Sequence, residues 1–283
     1  MITTLMAWAK APFCHSPRHR IINHEVIGQA LLGILRWGLL LMLLAAACSS
    51  DEPTLVVAAA SDLLPAMDEL VAIFQQECGC RVRVTFGSSG TLVYQIRQRL
   101  PADVFLSADA SYVDALTKDG YTHRGTERVY ALGLLALAVP KGGEPAPKTL
   151  DELTAPRFNR IVIANPEYAP YGRAAQEALQ NAGLWEVVQP RIVLAESASH
   201  ATQLVKTGDA QAGIIPLSSA IASGDRLAWT SLPPQHYSPL SQKAAVLAHA
   251  PSPELGRRFL DFLTGPHGRE VLRKYGFIIP EGG

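Results

Sequence analysis

Several residue classes are scarce in this chain of 283 residues. Charged residues make up only 18% of it, and 25 Lys and Arg balance 25 Asp and Glu, so the formal net charge is zero. This balance argues against a nucleic-acid-binding protein, which would carry a cationic surface. Aromatic residues make up 7%, and no segment recurs at a fixed period, which argues against solenoids and propellers. Hydrophobic residues reach 48%, enough for a sizeable aliphatic core, and the length predicts about two domains.

The apolar run near the N-terminus is too short for a membrane-spanning helix, which needs about 20 apolar residues. It covers residues 38–47, follows a weakly basic segment that includes Arg36, and ends in three alanines before Cys48. A cationic flank, a short apolar run and a small-residue end are typical of a secretory signal. The pattern predicts a signal peptide over residues 1–47 and a linker over residues 48–53.

Cys48 leaves two interpretations of how this signal is processed. The stretch Leu44–Cys48 resembles the cleavage box of bacterial lipoproteins, in which the cysteine becomes the lipidated first residue, although Ala45 stands where leucine is usual. Cleavage after Ala47 by an ordinary signal peptidase also fits the small residues and would release a soluble periplasmic protein. Both interpretations predict a periplasmic or extracytoplasmic location, and the first adds a lipoprotein anchor at Cys48.

The remaining cysteines of the exported part are Cys78 and Cys80, separated by one glycine. An exported protein permits a disulfide, but so short a spacer would strain the turn. A disulfide and two free thiols therefore both remain open. A metal site would need more soft ligands than this pair provides.

Short apolar runs alternate with helical patterns through the rest of the chain. Eight runs are predicted as strands: Thr54–Ala60, Val82–Phe86, Ala102–Ala108, Leu134–Val139, Arg160–Asn165, Arg191–Glu196, Ala212–Leu217 and Lys243–Ala248. Most are continuous rather than alternating, as in parallel sheets covered by helices on both faces. Between them apolar residues recur at helical spacing, for example from Leu63 to Phe74, and two helices are predicted over Glu254–Leu263 and His267–Tyr275. This order predicts an α/β fold.

Four turns between a predicted strand and the next helix are rich in small and hydroxyl-bearing residues. They cover Ala58–Asp62, Phe86–Thr91, Asn165–Gly172 and Ala195–Ser199. The first backbone N–H groups of a helix have no partner within it, and the helix dipole adds partial positive charge there. Because α/β proteins bind ligands at the carboxyl ends of their strands, the four turns together predict an anion-binding site.

At these residues the chain resembles the periplasmic molybdate-binding proteins of ABC transporters. The resemblance extends from about Thr54 to Pro280 and is carried by Val56–Ser61, Phe86–Leu92, Pro101–Ala108, Asn165–Gly172 and Lys274–Phe277. It implies a type II periplasmic binding protein, with two lobes that each contain a mixed, mostly parallel sheet flanked by helices. It also implies a binding protein rather than an enzyme, with no cofactor. The expected ligand is molybdate or tungstate, delivered to a membrane permease and its ATPase, and we expect a monomer that binds no nucleic acid.

The resemblance places four residues at the ligand. In the first lobe, Ser61 and Ser89 would bind through their hydroxyl and backbone N–H groups. In the second lobe, Tyr171 and Ala198 would bind through backbone N–H groups. All four would contact oxygen atoms of the oxyanion, so the protein would not coordinate the metal atom directly.

One position departs from the family pattern. Many members have a tyrosine donor after the glycine and isoleucine of the seventh strand, where this chain has Pro216. Proline has neither a hydroxyl nor a backbone N–H. We therefore expect the phenol of Tyr171 to act as the replacement donor, with Ser218 or Ser219 as a weaker alternative.

Asp62 and Arg173 are charged residues next to the predicted site residues, and other ligands and a hydrolase are the alternatives. Asp62 would accept a proton if the ligand were phosphate, but we expect it to favour the helix start and face away, and we expect Arg173 to be exposed. Sulfate, phosphate or a small organic anion is the alternative ligand. A serine hydrolase is a remote alternative because Ser197 and His200 lie three residues apart, yet Gly87–Gly90 is one residue short of a nucleophile elbow.

The resemblance also predicts how the chain divides into lobes. Residues 54–135 together with 240–283 would form the first lobe, and residues 136–239 the second. The chain would cross between them near Ala131–Pro140 and Tyr237–Val246. A double connection of this kind makes a hinge, so binding should close the cleft.

Overall fold

The computed structural model describes residues 52–280, so the predicted signal peptide and Cys48 lie outside the described residues. Within this part the strands are β1 (Thr54–Ala60), β2 (Arg81–Gly87), β3 (Val104–Ser107), β4 (Arg128–Gly133), β5 (Leu135–Pro140), β6 (Ile161–Ala164), β7 (Ile192–Ala195), β8 (Ala212–Pro216), β9 (Leu227–Ser231) and β10 (Leu240–Val246). The α-helices are α1 (Leu64–Cys78), α2 (Ser89–Arg97), α3 (Ala110–Lys118), α4 (Pro170–Asn181), α5 (Trp185–Val188), α6 (Ala198–Thr207), α7 (Leu217–Ala222), α8 (Pro253–Thr264) and α9 (Pro266–Lys274). Of these described helices, none has both the length and the hydropathy needed to span a membrane.

The strands form two five-stranded sheets. The first has the order β2-β1-β3-β10-β4 and the second the order β7-β6-β8-β5-β9. In the first sheet β1 pairs in parallel with β2 and β3, whereas β10 is antiparallel to β3 and β4. In the second, β6 is parallel to β7 and β8, and β5 is antiparallel to β8 and β9. The predicted α/β class and the two mixed sheets are confirmed.

Each sheet is covered by helices on both faces, which explains the continuous apolar strands. In β1, Leu55 and Val57 pack with the core beneath α1 and α8, while Ala58 packs on the opposite face against α2 and α3. The second sheet has a corresponding pair of cores, one against α4 and the other against α6 and α7. Because successive side chains of a strand point to opposite faces, burial on both faces requires apolar residues at nearly every position.

The chain passes between the two sheets twice. Leu134 alone separates β4 from β5, and residues 232–239 separate β9 from β10. The two connections are tied together, because the backbone N–H of Leu135 donates to the hydroxyl of Tyr237 at 3.0 Å. The carboxyl ends of β1, β2, β6 and β7 are therefore held at the junction of the two sheets, where the four hydroxyl-rich turns begin.

The eight predicted strands are all present, and two further strands have no clear signal in the sequence. β4 starts at the exposed Arg128 and is mostly buried from Tyr130 onward, whereas β9 alternates between exposed and partly buried residues after Leu227; both are edge strands. Because an edge strand has a neighbour on one side only, both strands include exposed residues, and neither is a continuous apolar run. Helix α3 was likewise not predicted, although Asp109 caps it by accepting from the backbone N–H of Ser111 at 2.8 Å.

Cys78 and Cys80 form a disulfide at the end of α1. Their Cα atoms lie 5.2 Å apart, within the range that a disulfide spans. Gly79 lies between them with a φ of 61°, a left-handed conformation that glycine adopts without steric cost. Of the two alternatives that the sequence leaves open, the structure contains the disulfide.

Candidate functional site

A small cavity of about 10 Å³ lies at the junction of the two sheets and is lined by all four sequence-predicted site residues. It is lined by Ala60, Ser61, Asp62, Gly87, Ser88, Ser89, Ala108, Ala169, Pro170, Tyr171 and Ala198. Ser61, Ser89, Tyr171 and Ala198 are all buried. The lining residues come from segments separated by up to 138 positions, so the cavity exists only in the folded chain.

Helix starts converge on this cavity. Ser61 begins a short 3₁₀-helix directly after β1, and Ser89 is the first residue of α2. Pro170 and Tyr171 open α4, and Ala198 is the first residue of α6. The first N–H groups of a helix have no acceptor within that helix and carry the positive end of its dipole. The arrangement therefore directs backbone donors and partial positive charge toward one small volume.

Both cavity serines keep a proton to donate. The Oγ of Ser61 accepts from the backbone N–H of Ser199 at 3.3 Å, and the Oγ of Ser89 accepts from the backbone N–H of Ala108 at 3.0 Å. A serine hydroxyl has one proton in addition to its acceptor lone pairs. With the oxygen occupied as an acceptor, each hydroxyl is set to donate to an acceptor in the cavity, which is the role that an oxyanion fills.

The hydroxyl of Tyr171 is engaged by the protein rather than free in an open cleft. It accepts from Nε2 of Gln242 at 3.1 Å and lies beside the carboxylate of Asp62. It also packs directly against Gly133, where any Cβ would collide with it. We therefore expect the backbone N–H of Tyr171, rather than its phenol, to contact a ligand in the cavity.

The weaker alternative donor is engaged in the same way. Ser218 is buried, and its hydroxyl donates to the backbone carbonyl of Asp62 at 2.9 Å. Ser219 is also buried but lines a separate surface pocket with Leu64 and Lys206. Neither serine lines the cavity that holds Ser61 and Ala198.

Asp62 is among the residues that line the cavity, and its carboxyl group is bonded to Gln242. It is 1% exposed, and its Oδ2 accepts from Nε2 of Gln242 at 2.5 Å. Burial raises the pKa of its carboxyl from 3.8 to about 7, although hydrogen bonds from Gln242 and Tyr171 act in the opposite direction. Within residues 52–280, Asp62 Oδ1 and Gln242 Oε1 are buried without a hydrogen-bond partner.

Arg173 links the two halves of the molecule instead of extending into solvent as expected. Its guanidinium donates to Oδ2 of Asp109 at 2.6 Å and to the hydroxyl of Tyr112 at 2.8 Å. Arg173 belongs to α4, which packs on the second sheet, whereas Asp109 and Tyr112 lie at the start of α3, which packs on the first. The side chains of Arg173 and Asp109 are 39% and 31% exposed, so solvent screens this ion pair only in part.

Two further hydrogen bonds cross between the halves beside the cavity. The hydroxyl of Ser88 donates to the backbone carbonyl of Glu196 at 2.5 Å. The backbone N–H of Gly90 donates to the carbonyl of Tyr168 at 2.9 Å, and a Cβ on Gly90 would collide with Tyr168. Sequence reasoning identified the turn that contains Ser88 and Gly90 but not these partners, which lie more than 70 residues away.

The described residues do not bring together the side chains that a serine hydrolase or a metal site would require. Ser197 caps α6 by accepting from the backbone N–H of His200 at 3.2 Å, and Nδ1 of His200 accepts from the backbone N–H of Glu196. These bonds orient a helix start and do not pair His200 with a serine hydroxyl. Across the described residues, no group of three or more His, Cys, Asp and Glu side chains is arranged to hold a metal ion.

Comparisons with known proteins agree with this geometry. The family model for bacterial extracellular solute-binding proteins matches residues 55–278. The molybdate-binding protein ModA of Rhodobacter capsulatus is 33% identical over 222 residues, which cover 77% of this chain and 86% of that protein. ModA of Escherichia coli is 31% identical over 225 residues, covering 78% and 87%.

Solved structures show the same fold. The periplasmic molybdate-binding protein of Azotobacter vinelandii is 28% identical, with a TM-score of 0.75, and the match covers 80% of this chain and all of that one. The sulfate-binding protein SubI of Mycobacterium tuberculosis has a TM-score of 0.70 at 16% identity, over 81% and 88% of the two chains, and shares the fold alone. From the family match and the ModA relatives, the chain belongs to the bacterial extracellular solute-binding proteins.

Proposed function

We propose that this protein is the extracytoplasmic molybdate-binding component of an ABC importer and that it also binds tungstate. The observation that carries the proposal is a buried cavity with two serine hydroxyls and several helix starts directed into it, and with no Lys, Arg or His among its lining residues. The ModA relatives, at 31–33% identity over most of their length, support the same ligand. Ser61, Ser89, Tyr171 and Ala198 are the residues to which we assign the oxyanion.

Neutral donors are sufficient to bury a dianion if they replace its hydration. An ion loses a large hydration energy in a dry site, and hydrogen bonds to a charged group each return about 1.5–3 kcal/mol net. The hydroxyls of Ser61 and Ser89 and the N–H groups at the helix starts are aimed at one point for this purpose. The absence of a cationic side chain in the lining keeps the ligand releasable.

A site built from donors selects against protonated anions. Molybdate and tungstate carry no proton near neutral pH, whereas phosphate retains one that the backbone N–H groups of the site cannot accept. Sulfate also carries no proton, so it must be rejected by size, because its oxygens lie closer to the central atom. The cavity is therefore expected to prefer the larger oxyanions.

The hinge and the delivery step follow from the two-sheet architecture. We assign residues 54–135 with 240–283 to one lobe and residues 136–239 to the other, joined at Leu134 and at residues 232–239. Ligand release to a permease and its ATPase would require these lobes to separate. A monomer is sufficient for this cycle, because every residue of the proposed site comes from a single chain.

Isothermal titration of the purified protein with molybdate, tungstate, sulfate and phosphate tests the proposal. We expect tight binding of molybdate and tungstate, with sulfate and phosphate weaker by at least tenfold. Equal affinity for sulfate and molybdate would contradict the assignment of a size-selective site. An absence of ester hydrolysis in a parallel assay would remove the hydrolase alternative.

Phosphate is the second candidate because Asp62 lines the cavity. A carboxylate is an acceptor for the proton that phosphate retains near neutral pH. If phosphate is the ligand, Asp62→Asn should abolish its binding, since the amide would present a donor to that proton. If molybdate is the ligand, the same variant should still bind it.

A further inference from the structure

We propose that Asp62 binds alongside the oxyanion as a neutral carboxylic acid, so that each molybdate bound above neutral pH is accompanied by one proton. This inference rests on the proposed function, because it requires a dianion in the cavity that Asp62 lines. It makes Asp62 a determinant of affinity for the ligand and adds a dependence on pH that a site of purely neutral donors would not have.

The position of the Asp62 carboxyl group favours its neutral form. Asp62 is adjacent to Ser61 in the chain, is 1% exposed and lines the same cavity as Ser89 and Ala198. A carboxylate there would oppose a dianion at short range and in low dielectric, where the repulsion of like charges is strong. A neutral carboxyl group removes that repulsion and supplies one further O–H donor.

The hydrogen bonding of the Asp62 carboxyl group is incomplete. Oδ2 of Asp62 accepts from Gln242 at 2.5 Å, but Oδ1 is buried with no partner among the described residues. A buried acceptor without a donor is costly when it carries charge. A proton on Oδ1 removes the charge and turns the unsatisfied acceptor into a donor.

The described groups that surround the Asp62 carboxyl group carry no positive charge. The titratable groups that face Asp62 are Tyr171 from α4 and Tyr130 from β4, with Tyr237 lying behind Tyr171. From β10 and α7 it meets Gln242 and the hydroxyl of Ser218, both neutral. No cation is among these groups, so nothing in this environment compensates a carboxylate.

These surroundings set the pH at which the coupling appears. Burial raises the pKa of Asp62 to about 7 without a ligand, and burial also raises the pKa values of Tyr130 and Tyr171 above their usual range, so both phenols stay neutral. A dianion beside Asp62 raises its pKa further, because a like charge disfavours the ionised form. Between these two pKa values Asp62 is ionised in the free protein and protonated in the complex, so binding takes up a proton.

The expected consequence is a loss of affinity at high pH. Below about pH 7 the carboxyl is neutral in both states, and the dissociation constant should be constant. Above it, the dissociation constant should rise by up to tenfold per pH unit, approaching roughly 100-fold between pH 6 and pH 9. Molybdate remains a dianion throughout this range, so the ligand itself does not titrate.

The test is titration calorimetry of the purified protein with sodium molybdate at pH 6, 7, 8 and 9 and at constant ionic strength. Each titration at pH 8 is repeated in two buffers with different ionisation enthalpies, which gives the number of protons taken up. The variants are Asp62→Asn and, as a matched control, Asp114→Asn on the surface. Asp114 is 57% exposed and pairs with Lys243, away from the cavity lining.

The wild type and Asp114→Asn should take up close to one proton per molybdate at pH 8 and lose affinity as the pH rises. Asp62→Asn should show no proton uptake and a flat pH profile, whatever its absolute affinity. A flat wild-type profile without proton uptake, or an unchanged slope in Asp62→Asn, would overturn the proposal. If Asp62→Asn fails to fold, the wild-type proton count decides alone. A protein that binds no molybdate at any pH would instead refute the proposed function.

Discussion

At the scale of single residues, the hydroxyls of Ser61 and Ser89 have two tasks. Each oxygen accepts from a backbone N–H of another segment, and in the proposed function each proton donates to the ligand. The bond from the backbone N–H orients the hydroxyl toward the ligand, because a hydroxyl whose oxygen is held by a fixed donor has little freedom to turn its proton elsewhere. Small side chains are thereby converted into directional donors without any charge.

Ser89→Ala is expected to weaken molybdate binding by roughly tenfold or more, since a hydrogen bond to a charged group contributes about 1.5–3 kcal/mol. The variant also leaves the backbone N–H of Ala108 without its acceptor, so unfolding should occur at a slightly lower temperature. Calorimetry and thermal melts measure the two effects. Thr154→Ala, at a surface threonine whose hydroxyl donates to the backbone carbonyl of Asp151, serves as the control and should change neither ligand affinity nor cavity geometry.

Tyr171→Phe is expected to act on stability rather than on affinity. The substitution removes the buried hydroxyl that accepts from Gln242, so the unliganded protein should lose about 1–3 kcal/mol of unfolding free energy. Molybdate affinity at pH 6 should fall by less than the roughly tenfold that follows loss of a bond to a charged ligand. Denaturant unfolding and calorimetry measure these quantities. A large loss of affinity with unchanged stability would show that the phenol reaches the ligand.

At the scale of secondary-structure elements, the site depends on how closely each helix start approaches the strand before it. Helix α4 begins with Pro170, whose fixed φ suits the first helical position and whose missing N–H removes no helical bond. Gly172 follows two residues later, and a Cβ at that position would collide with the backbone carbonyl of Ala164 at the end of β6. The glycine therefore lets the first turn of α4 lie directly against the strand.

Gly172→Ala is expected to destabilise the protein by about 1–3 kcal/mol or more, because the colliding atom is backbone and cannot rotate away. The shift of α4 should also displace the backbone of Tyr171 and weaken molybdate binding. Gly143→Ala is the matched control, since its Cβ would meet only the Pro140 carbonyl at an ordinary 3.5 Å. Equal stability of the two variants would show that the first turn of α4 tolerates movement.

At the scale of the whole molecule, polar contacts join the two halves on either side of the cavity. Ser88, Gly90, Ser218 and Gln242 each make one such bond, and Arg173 makes two. Polar contacts of this kind exchange readily with water, unlike an apolar interface. They are suited to a protein that must hold its ligand and later release it.

Arg173→Gln is expected to raise the molybdate dissociation constant by roughly three- to tenfold, mainly through faster release, since a charge-assisted pair that is partly exposed contributes about 1 kcal/mol. Stopped-flow displacement and calorimetry measure the release rate and the affinity. Arg97→Gln is the control, because Arg97 bonds Asp119 at 2.7 Å within one half of the molecule. If both variants behave alike, the pair of Arg173 with Asp109 has no role in closure.

The second prediction at this scale concerns the attachment of the protein to the envelope, which we propose to be a lipid on Cys48. The wild type should then fractionate with membranes, and Cys48→Ala should change its processing and abolish that membrane attachment. Immunoblots of membrane and soluble periplasmic fractions measure the distribution. A wild type found wholly in the soluble fraction would leave simple secretion as the explanation.

The sequence by itself determined the elements and the positions of the helix starts. Apolar runs, capping residues and glycine stops act over a few residues, so the turns at Ser61, Ser89 and Ala198 could be recognised without knowledge of the fold. The weak strands β4 and β9 could not, because an edge or half-covered strand needs little apolar character.

Only the tertiary structure decided which polar groups meet. Gln242 lies 180 positions from Asp62 and 71 from Tyr171, and Asp109 lies 64 positions from Arg173. No local pattern marks such partners, since a hydrogen bond or an ion pair depends on where folding brings the two groups. The burial of Asp62, the engagement of the Tyr171 hydroxyl and the partly buried position of Arg173 therefore followed from the packing of two sheets, because the desolvation that governs these groups is a property of the assembled core.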